Sequence, residues 1–447
     1  MSTHPHPGLP LEGEGEKCAK DGKGYDANPH PTLSPEREEV AVPGALARYA
    51  DHVARWSVIA LGFSIPISVA LDNVLLVLIL AGWLASGMYS LKLQIPLNNP
   101  VALTALALFA LLLIGTLHGV SAAGDAAHYL GKYTDLLFIP IFLFLFRDAA
   151  TRRNALHAFA ASLALVLALS YLIKAGIVPK NPLIVSDANY PVVFKLHLTH
   201  NILMAFGAFL YAWLALTAKS LKIKAVWTLL ALLAVINLTM MVHGATGYFI
   251  FLGLALLLGY DRGRWRGLAV AAAGIAALAA VLAIVPGPFQ ERTNSIIKET
   301  QGWKPDRPAQ NSAEFRLEFY RNTLGIIADH PLIGVGTGGF PQGYAEKVRG
   351  TGKTETRNPH NEFLHIAAQV GIAGLAVLLW LFWLQWRLAA RLSSPLECQL
   401  ARGLVLTMVI GCMFNSLLLD HTEGLLYAWL TGLLYSDVKS EEIGNRQ

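Results

Sequence analysis

Apolar residues in this chain run in unbroken blocks of about 20, without the alternation of a strand or the one-sided stripe of a surface helix. Val101 to Leu117 and Gly267 to Val285 are two such blocks, continuous and rich in Leu and Ala. A helix needs about 20 residues at ~1.5 Å each to cross ~30 Å of hydrocarbon, and a spanning barrel would need alternating strands. The blocks predict membrane-spanning helices near 55–72, 74–91, 100–118, 130–146, 155–175, 198–217, 225–243, 246–260, 267–286, 361–386, 399–419 and 424–436. The expected fold class is an all-α polytopic membrane protein with about twelve transmembrane helices. Around the spans, residues 1–45 are polar, rich in Gly, Pro and His, and too poor in apolar groups to offset ordering entropy, which predicts a disordered tail. Spans one to nine fill 46–286, a large loop covers 287–360, spans ten to twelve fill 361–436, and a short tail, 437–447, follows.

Composition supports this pattern: 54% of residues are hydrophobic and 15% charged, which excludes an ordinary soluble domain. The net charge of +5 raises the question of nucleic acid, and the placement of the charges answers it. Lys92; Arg147, Arg152 and Arg153; Lys219, Lys222 and Lys224; Arg262, Arg264 and Arg266; and Arg387 and Arg391 all fall in alternate short loops, an orientation signal rather than a nucleic-acid surface. Those loops, and with an even span count both termini, are expected in the cytoplasm. The opposite loops hold His118, His128, His197, His200, His243, His330, His360, His365 and His421. Three scattered cysteines, Cys18, Cys398 and Cys412, make neither a disulfide framework nor a zinc site.

The long loop is where a function is expected, since structureless loops of this length are uncommon. Within it, Asn311 or Ser312 can cap a helix with Glu314 in its first turn. Ala313, Leu317, Tyr320, Leu324 and Ile327 then recur at helical spacing, so an amphipathic helix is predicted up to about Asp329, lying on the membrane or the rim of the bundle. Pro331 stops it, and a glycine-rich run, Gly334-Val335-Gly336-Thr337-Gly338-Gly339, follows. Such a run can form a phosphate nest, although the Lys-Ser/Thr of a Walker loop is missing here.

At the entrance to the tenth span the chain reads Asn358-Pro359-His360-Asn361-Glu362, then Gly371-Ile372-Ala373-Gly374. His-Asn, nine residues and Gly-x-x-Gly resemble the signature of the O-antigen ligase and polymerase superfamily, and the helix with Arg316 followed by Pro-Leu-x-Gly-x-Gly looks like the element that precedes it. Together these cover about Asn311 to Leu375. The resemblance implies a lipid-glycosyltransferase (GT-C) fold and an O-antigen ligase of the bacterial inner membrane with a periplasmic active site. It would transfer polysaccharide from undecaprenyl diphosphate to lipid A-core, with inversion and without cofactor or metal. Expected partners are those two amphiphiles and membrane lipids, with no nucleic acid.

The residues themselves bear on this chemistry. Pro359 disfavours helix before it, so His360 sits at a helix mouth, either as a general base for a sugar hydroxyl or as an interfacial cap. Arg316 is the first choice to stabilise the charge that builds on a diphosphate leaving group. Arg321, five residues on, faces another side and either joins it or touches headgroups. Lys195, in Phe194-Lys195-Leu196-His197-Leu198-Thr199-His200-Asn201, stands where the family usually has arginine, as a diphosphate contact or a snorkelling lysine; Lys132 has the same two readings. Asn361, His200 and His243 are supporting candidates, the last in His243-Gly244-Ala245, where the family's arginine is absent. Gly371 and Gly374, with Ala367 and Ala368, are read as a small face for helix packing. Asp420, His421 and Glu423 form a polar cluster without a metal motif. Two relatives compete within the class, an O-antigen polymerase and a protein O-oligosaccharyltransferase. Polymerases of the superfamily resemble proteins with two large periplasmic loops, often bearing Arg-x10-Gly; only one large loop is evident here and no arginine in it has glycine eleven residues on, which favours the ligase. A lipid-linked glycan transporter or flippase would instead place ionisable groups at mid-membrane.

Overall fold

The computed structural model describes residues 44–179, 186, 188–285 and 287–438. The two expected tails lie outside these residues, apart from Gly44 and Ala45 and from Asp437 and Val438. The helices are α1 (Ala45–Ser64), α2 (Val69–Ala85), α3 (Tyr89–Leu97), α4 (Pro100–Gly115), α5 (Ala123–Lys132), α6 (Asp135–Leu145), α7 (Ala149–Lys174), α8 (His197–Thr217), α9 (Leu221–Ile236), α10 (Ala245–Ile284), α11 (Pro288–Gln301), α12 (Ser312–Asp329), α13 (Phe340–Val348), α14 (Glu362–Ala389), α15 (Pro395–Phe414) and α16 (His421–Tyr435). A π-helical turn, Asn237–Met241, extends α9. No strand forms among the described residues.

Every predicted span meets helix, yet the count of twelve is not reached by length and apolarity. Six helices qualify on their own, α7, α8, α9 with its π turn, α10, α14 and α15; α2 and α3, bent by 115°, make a seventh if taken as one span. One of the spans not counted is α16, and its surroundings show why. At 15 residues it is about 22 Å long, and from Thr422 to Tyr435 every residue is buried. A helix apolar on all sides lies inside a bundle as readily as across a bilayer. Trp429 at its centre donates its indole N–H to the Val58 carbonyl at 2.9 Å and packs on Phe146 and Phe159. Gly62 and Gly432 leave no room for a Cβ against Trp429 and Phe142, so α1 and α6 close tightly on it. Polar atoms in this core are satisfied locally: Gln385 donates to Thr431 (3.0 Å) and accepts from Tyr427 (2.8 Å).

Residues 246–260 and 267–286, read as two spans, fall in the two helical arms of α10, which part at the non-helical residues Gly263 and Arg264. The chain folds back there: the backbones of Gly259 and Gly267 touch closely enough to exclude a Cβ, which only glycine permits.

The same kind of break in α14 organises the loop beside it. Val370 and Gly371 leave helical geometry, Gly371 with φ +70°. The freed carbonyls of Ala368 and Gln369 accept N–H bonds from Val335 (2.8 Å) and Gly336 (2.9 Å), while Ile372 donates to the Pro331 carbonyl (2.9 Å). Thr337 anchors the other side of this loop, its N–H to the Gly115 carbonyl (3.0 Å) and its hydroxyl to that of Leu112 (2.6 Å). The glycine-rich run is thus wedged between α4 and α14 with its donors spent on protein, and the phosphate nest does not form. Gly371 serves this wedge rather than a helix–helix face: a Cβ there would strike the Leu332 carbonyl.

The loop's predicted helix is present as α12, with Asn311 accepting from the Glu314 N–H (3.0 Å) as its cap. Its buried side is offset from the expected one. Phe319, Thr323 and Ile326 face inward with Ala313, Glu314 and Glu318, whereas Leu324 is exposed, because α12 packs on α13 and α14 through Phe319, Tyr344 and Phe340 rather than lying on lipid.

Charge separates by end. Arg147 grips Asp51 with two 2.8 Å bonds, and Arg152 pairs with Glu397 (3.2 Å) and Asp437 (2.5 Å), near the N-termini of α1, α7 and α15. The opposite end carries His360, Arg316 and the cavity described below. Replacing Gly371 by Ala, with positive φ and no space for a Cβ, is expected to cost about 1–3 kcal/mol and lower the melting temperature of the purified protein. Gly274→Ala, in open space within α10, is expected to leave it unchanged or slightly higher.

Candidate active site

Helix α14 opens with Asn361 as its cap, accepting from the Leu364 N–H at 3.0 Å and donating to the Met413 carbonyl at 3.0 Å. Pro359 is itself buried, and as a proline it disfavours helix for the residue before it. Between them His360 takes φ +56°, rare for a residue with a side chain. The Asn358 side chain holds this turn: its oxygen accepts from the His360 N–H (2.8 Å) and from the Ser416 hydroxyl (2.8 Å). The Tyr320 hydroxyl, reaching over from α12, lies 3.1 Å from the His360 carbonyl and 3.0 Å from that of Met413. A backbone in a costly conformation, fixed from three sides, presents its imidazole in one place.

The imidazole is half-buried and stacks on Phe319, centroids 6.2 Å apart. Its Nδ1 lies 3.2 Å from the Asn415 amide oxygen. An acceptor at Nδ1 selects the Nδ1–H tautomer and leaves the Nε2 lone pair free, the form a general base needs. Burial pulls the His360 pKa below 6.5; the Asn415 bond opposes this, the Arg316 charge adds to it, and Asp420 opposes it. The ring is therefore neutral near neutral pH.

Arg316 projects from α12 on one side of His360. Among the described residues no carboxylate forms an ion pair with it. Burial lowers its pKa, Tyr320 counteracts, and the charge of Arg292 lowers it further. Arg292, on α11, hydrogen-bonds Ser312 (3.2 Å) and sits 4.0 Å from Glu299. Two guanidiniums that feel each other's charge in a half-buried place make a site that an anion would relieve.

Next to His360, through Asn358, lies a polar cavity of about 310 Å³ walled by Lys132, Arg357, Asp420, Asn358, Tyr129 and Gln342, among others. Burial raises the Asp420 pKa, and Lys132 and His360 pull it back.

The expected site residues thus divide. His360, Arg316 and Asn361 come together. Lys132 lies in the polar cavity. Lys195 is held inside the protein, 3.1 Å from the Thr422 hydroxyl and 4.0 Å from Asp72; burial lowers its pKa, and Asp72 and Glu423 oppose that. His200 is buried against the Asn237 amide oxygen (2.8 Å), His243 meets Glu291 (3.0 Å), and Arg321 is exposed. Arg292, Arg357, Asn415 and the hydroxyl of Tyr320 were not singled out from the sequence. Arg357 stands immediately before the Asn-Pro-His-Asn motif and could have been found from it; Arg292 and Asn415 carry no signal of spacing.

The segment that holds Arg292, Arg316, Tyr320 and His360 also matches a known family model, that of the O-antigen ligases, over residues 230–379. Residues 230–379 belong to the O-antigen ligase family. The match supports membership of the O-antigen ligase superfamily, and with it a ligase- or polymerase-type, glycosyltransferase-like activity on lipid-linked glycans in a membrane. No curated protein matches the chain. Among solved structures, the chain is similar at 19% identity and a TM-score of 0.43 to one from "Structural coordination of polymerization and crosslinking by a peptidoglycan synthase complex", over 75% of this chain and 94% of that one. At that score the likeness carries no argument. Within the O-antigen ligase segment, the charge environment of His360 has a direct readout: pH-dependent carbethoxylation followed by peptide mass spectrometry. Half-maximal modification of His360 is expected below pH 6.5, moving up in Arg316→Gln, which removes a repelling cation, and down in Asp420→Asn, which removes an attracting carboxylate.

Proposed function

We propose that the protein is an O-antigen ligase that transfers polysaccharide from undecaprenyl diphosphate to a sugar hydroxyl of lipid A-core, at the periplasmic face of the bacterial inner membrane. The observation that carries this reading is the pairing of a tautomer-fixed, neutral His360 with an Arg316 that, among the described residues, has no carboxylate in an ion pair with it. A base on one side and an unspent cation on the other are the two groups that displacement of a diphosphate requires.

In the proposed reaction Nε2 of His360 takes the proton of the acceptor hydroxyl as its oxygen attacks the anomeric carbon. The bond from that carbon to the phosphate oxygen breaks, and undecaprenyl diphosphate leaves with the electron pair. Arg316, with Arg292 behind it, stabilises the charge that appears on the leaving group. One direct displacement inverts the anomeric centre. No step calls on a metal or cofactor, and the helical fold is proposed to be of the GT-C type. The termini and the arginine-rich end are proposed to lie in the cytoplasm, as the positive-inside rule expects. Because both substrates are anchored in one leaflet, their encounter at the bundle's edge is favoured over encounter in solution.

Of the other basic candidates, Arg321 is proposed to touch lipid headgroups, and Lys195 to support the site from within. The test is transfer by the purified protein from lipid-linked donor to rough lipopolysaccharide. His360→Ala is expected to lower kcat by about 10²–10⁴ and Arg316→Ala by about 10²–10³, with Arg316→Lys only partly active because lysine lacks the fork geometry. A chelator is expected to leave the rate unchanged. Full turnover by His360→Ala would remove the proposed base. In a deletion strain, loss of long chains with accumulation of lipid-linked polymer fits a ligase, and loss of the polymer itself points to a polymerase or flippase.

A further inference from the structure

His360 adjoins two charge neighbourhoods, feeling Arg316 of one and Asp420 of the other. Arg316 and Arg292 make one. The other is the cavity of about 310 Å³, in the size range of small-ligand sites. Its wall is continuous with the base, since Asn358 lines the cavity and its side-chain oxygen holds the His360 N–H at 2.8 Å. Asp420, also on the wall, is close enough to feel the charge of both His360 and Lys132. The floor is fixed rather than loose: the Tyr129 hydroxyl donates to the Arg357 carbonyl at 3.0 Å, and Gln342 donates to Asp125 at 3.3 Å.

The lining mixes two cations, Lys132 and Arg357, with carboxylate and amide groups and an aromatic ring. Carboxylates and amides are groups that hydrogen-bond sugar hydroxyls, whereas a site for diphosphate alone would not set Asp420 and Asp125 in its wall. Among the described residues neither Lys132 nor Arg357 forms an ion pair with these carboxylates.

We propose that this cavity is the acceptor subsite, and that it takes a sugar carrying an acidic substituent, a phosphate or a carboxylate, which Lys132 and Arg357 bind while Asp420 and Asn358 orient the neighbouring hydroxyl toward His360. Lys132, expected from sequence to meet the donor's diphosphate, is thereby assigned to the acceptor. The assignment rests on the transferase reading for the word acceptor; the binding itself does not require turnover.

The experiment is calorimetric titration of the full-length protein in detergent with delipidated core oligosaccharide in four forms: native, dephosphorylated, carboxyl-amidated, and treated both ways. The doubly neutralised glycan is expected to bind about tenfold or more weakly than the native one, the scale of a lost charge-assisted bond. The singly treated forms tell which acidic group is read. Lys132→Met and Arg357→Gln are expected to bind the native glycan as weakly as wild type binds the neutral one, and Arg357→Lys to recover part of the loss. Arg316→Ala, with elution and melting like wild type, is expected to bind it normally. Equal binding of native and neutralised glycan, unchanged binding by both cavity variants, or a loss in Arg316→Ala as large as theirs would overturn the assignment. Charge-dependent binding without any transfer would leave the subsite standing and refute the ligase reading; transfer with charge-independent binding would do the reverse.

Discussion

The site depends on a break in one helix. At Val370 and Gly371 α14 gives up its regular hydrogen bonds, and inside a membrane protein such groups must find other partners at once. They find them in the backbone of residues 331–336, which enters beside α14 and is closed on its far side by Thr337 against α4. That exchange fixes the segment following α12, so α12 cannot slide relative to the first turns of α14. Tyr320 and Phe319 consequently arrive at His360, and Arg316 with them. A straight α14 would leave the wedge without acceptors and the loop's three helices without an anchor.

On this scaffold the chemistry is set by which charges are satisfied internally and which are not. Arg147 and Arg152 are bound by carboxylates at the end opposite the site, and serve the assembly of helices. Lys195 sits among Asp72, Thr422 and Glu423, and its charge is shared inside the protein. Arg316 has a phenol and a second arginine for neighbours instead. Holding two cations together costs free energy that an anionic ligand returns on binding, so the free site is poised for a phosphate-like group. The same cation lowers the basicity of His360, while Asp420 acts the other way. In the proposed mechanism, arrival of an anion beside Arg316 would offset part of that depression and make the imidazole a better base once the donor is in place.

Much of this was legible in the sequence because it rests on local rules. Continuous apolar blocks gave helices, Asn311 fell at the cap expected of it, and His360 fell at a helix mouth because proline precedes it. What was not legible needed knowledge of neighbours. Apolarity alone does not distinguish a lipid-facing helix from α16, which is enclosed by protein. The Gly-x-x-Gly of α14 reads as a packing face until the loop carbonyl of Leu332 is found against Gly371. The buried side of α12 shifted by one position because its partner is α13 and α14 and not a flat membrane surface. Asn415, Arg292 and Arg357 are brought to the site from three different elements, and no spacing along the chain could announce their meeting.

The inward face of α12 explains why a segment that looks like a surface loop can hold a reaction centre. Phe319 packs on Tyr344 and on the His360 ring, and Phe340 on His365, so the aromatic layer between α12, α13 and α14 is also one wall of the imidazole. A flat wall on one face of the ring and an amide oxygen at Nδ1 restrict both its rotation and its tautomer, leaving Nε2 as its free proton acceptor. The layer also keeps water from that face of the ring, which strengthens the influence of Arg316 and Asp420 on it. Packing and electrostatics are therefore not separate contributions here: loosening Phe319 would weaken the placement of the base and dilute the field of the charges that tune it.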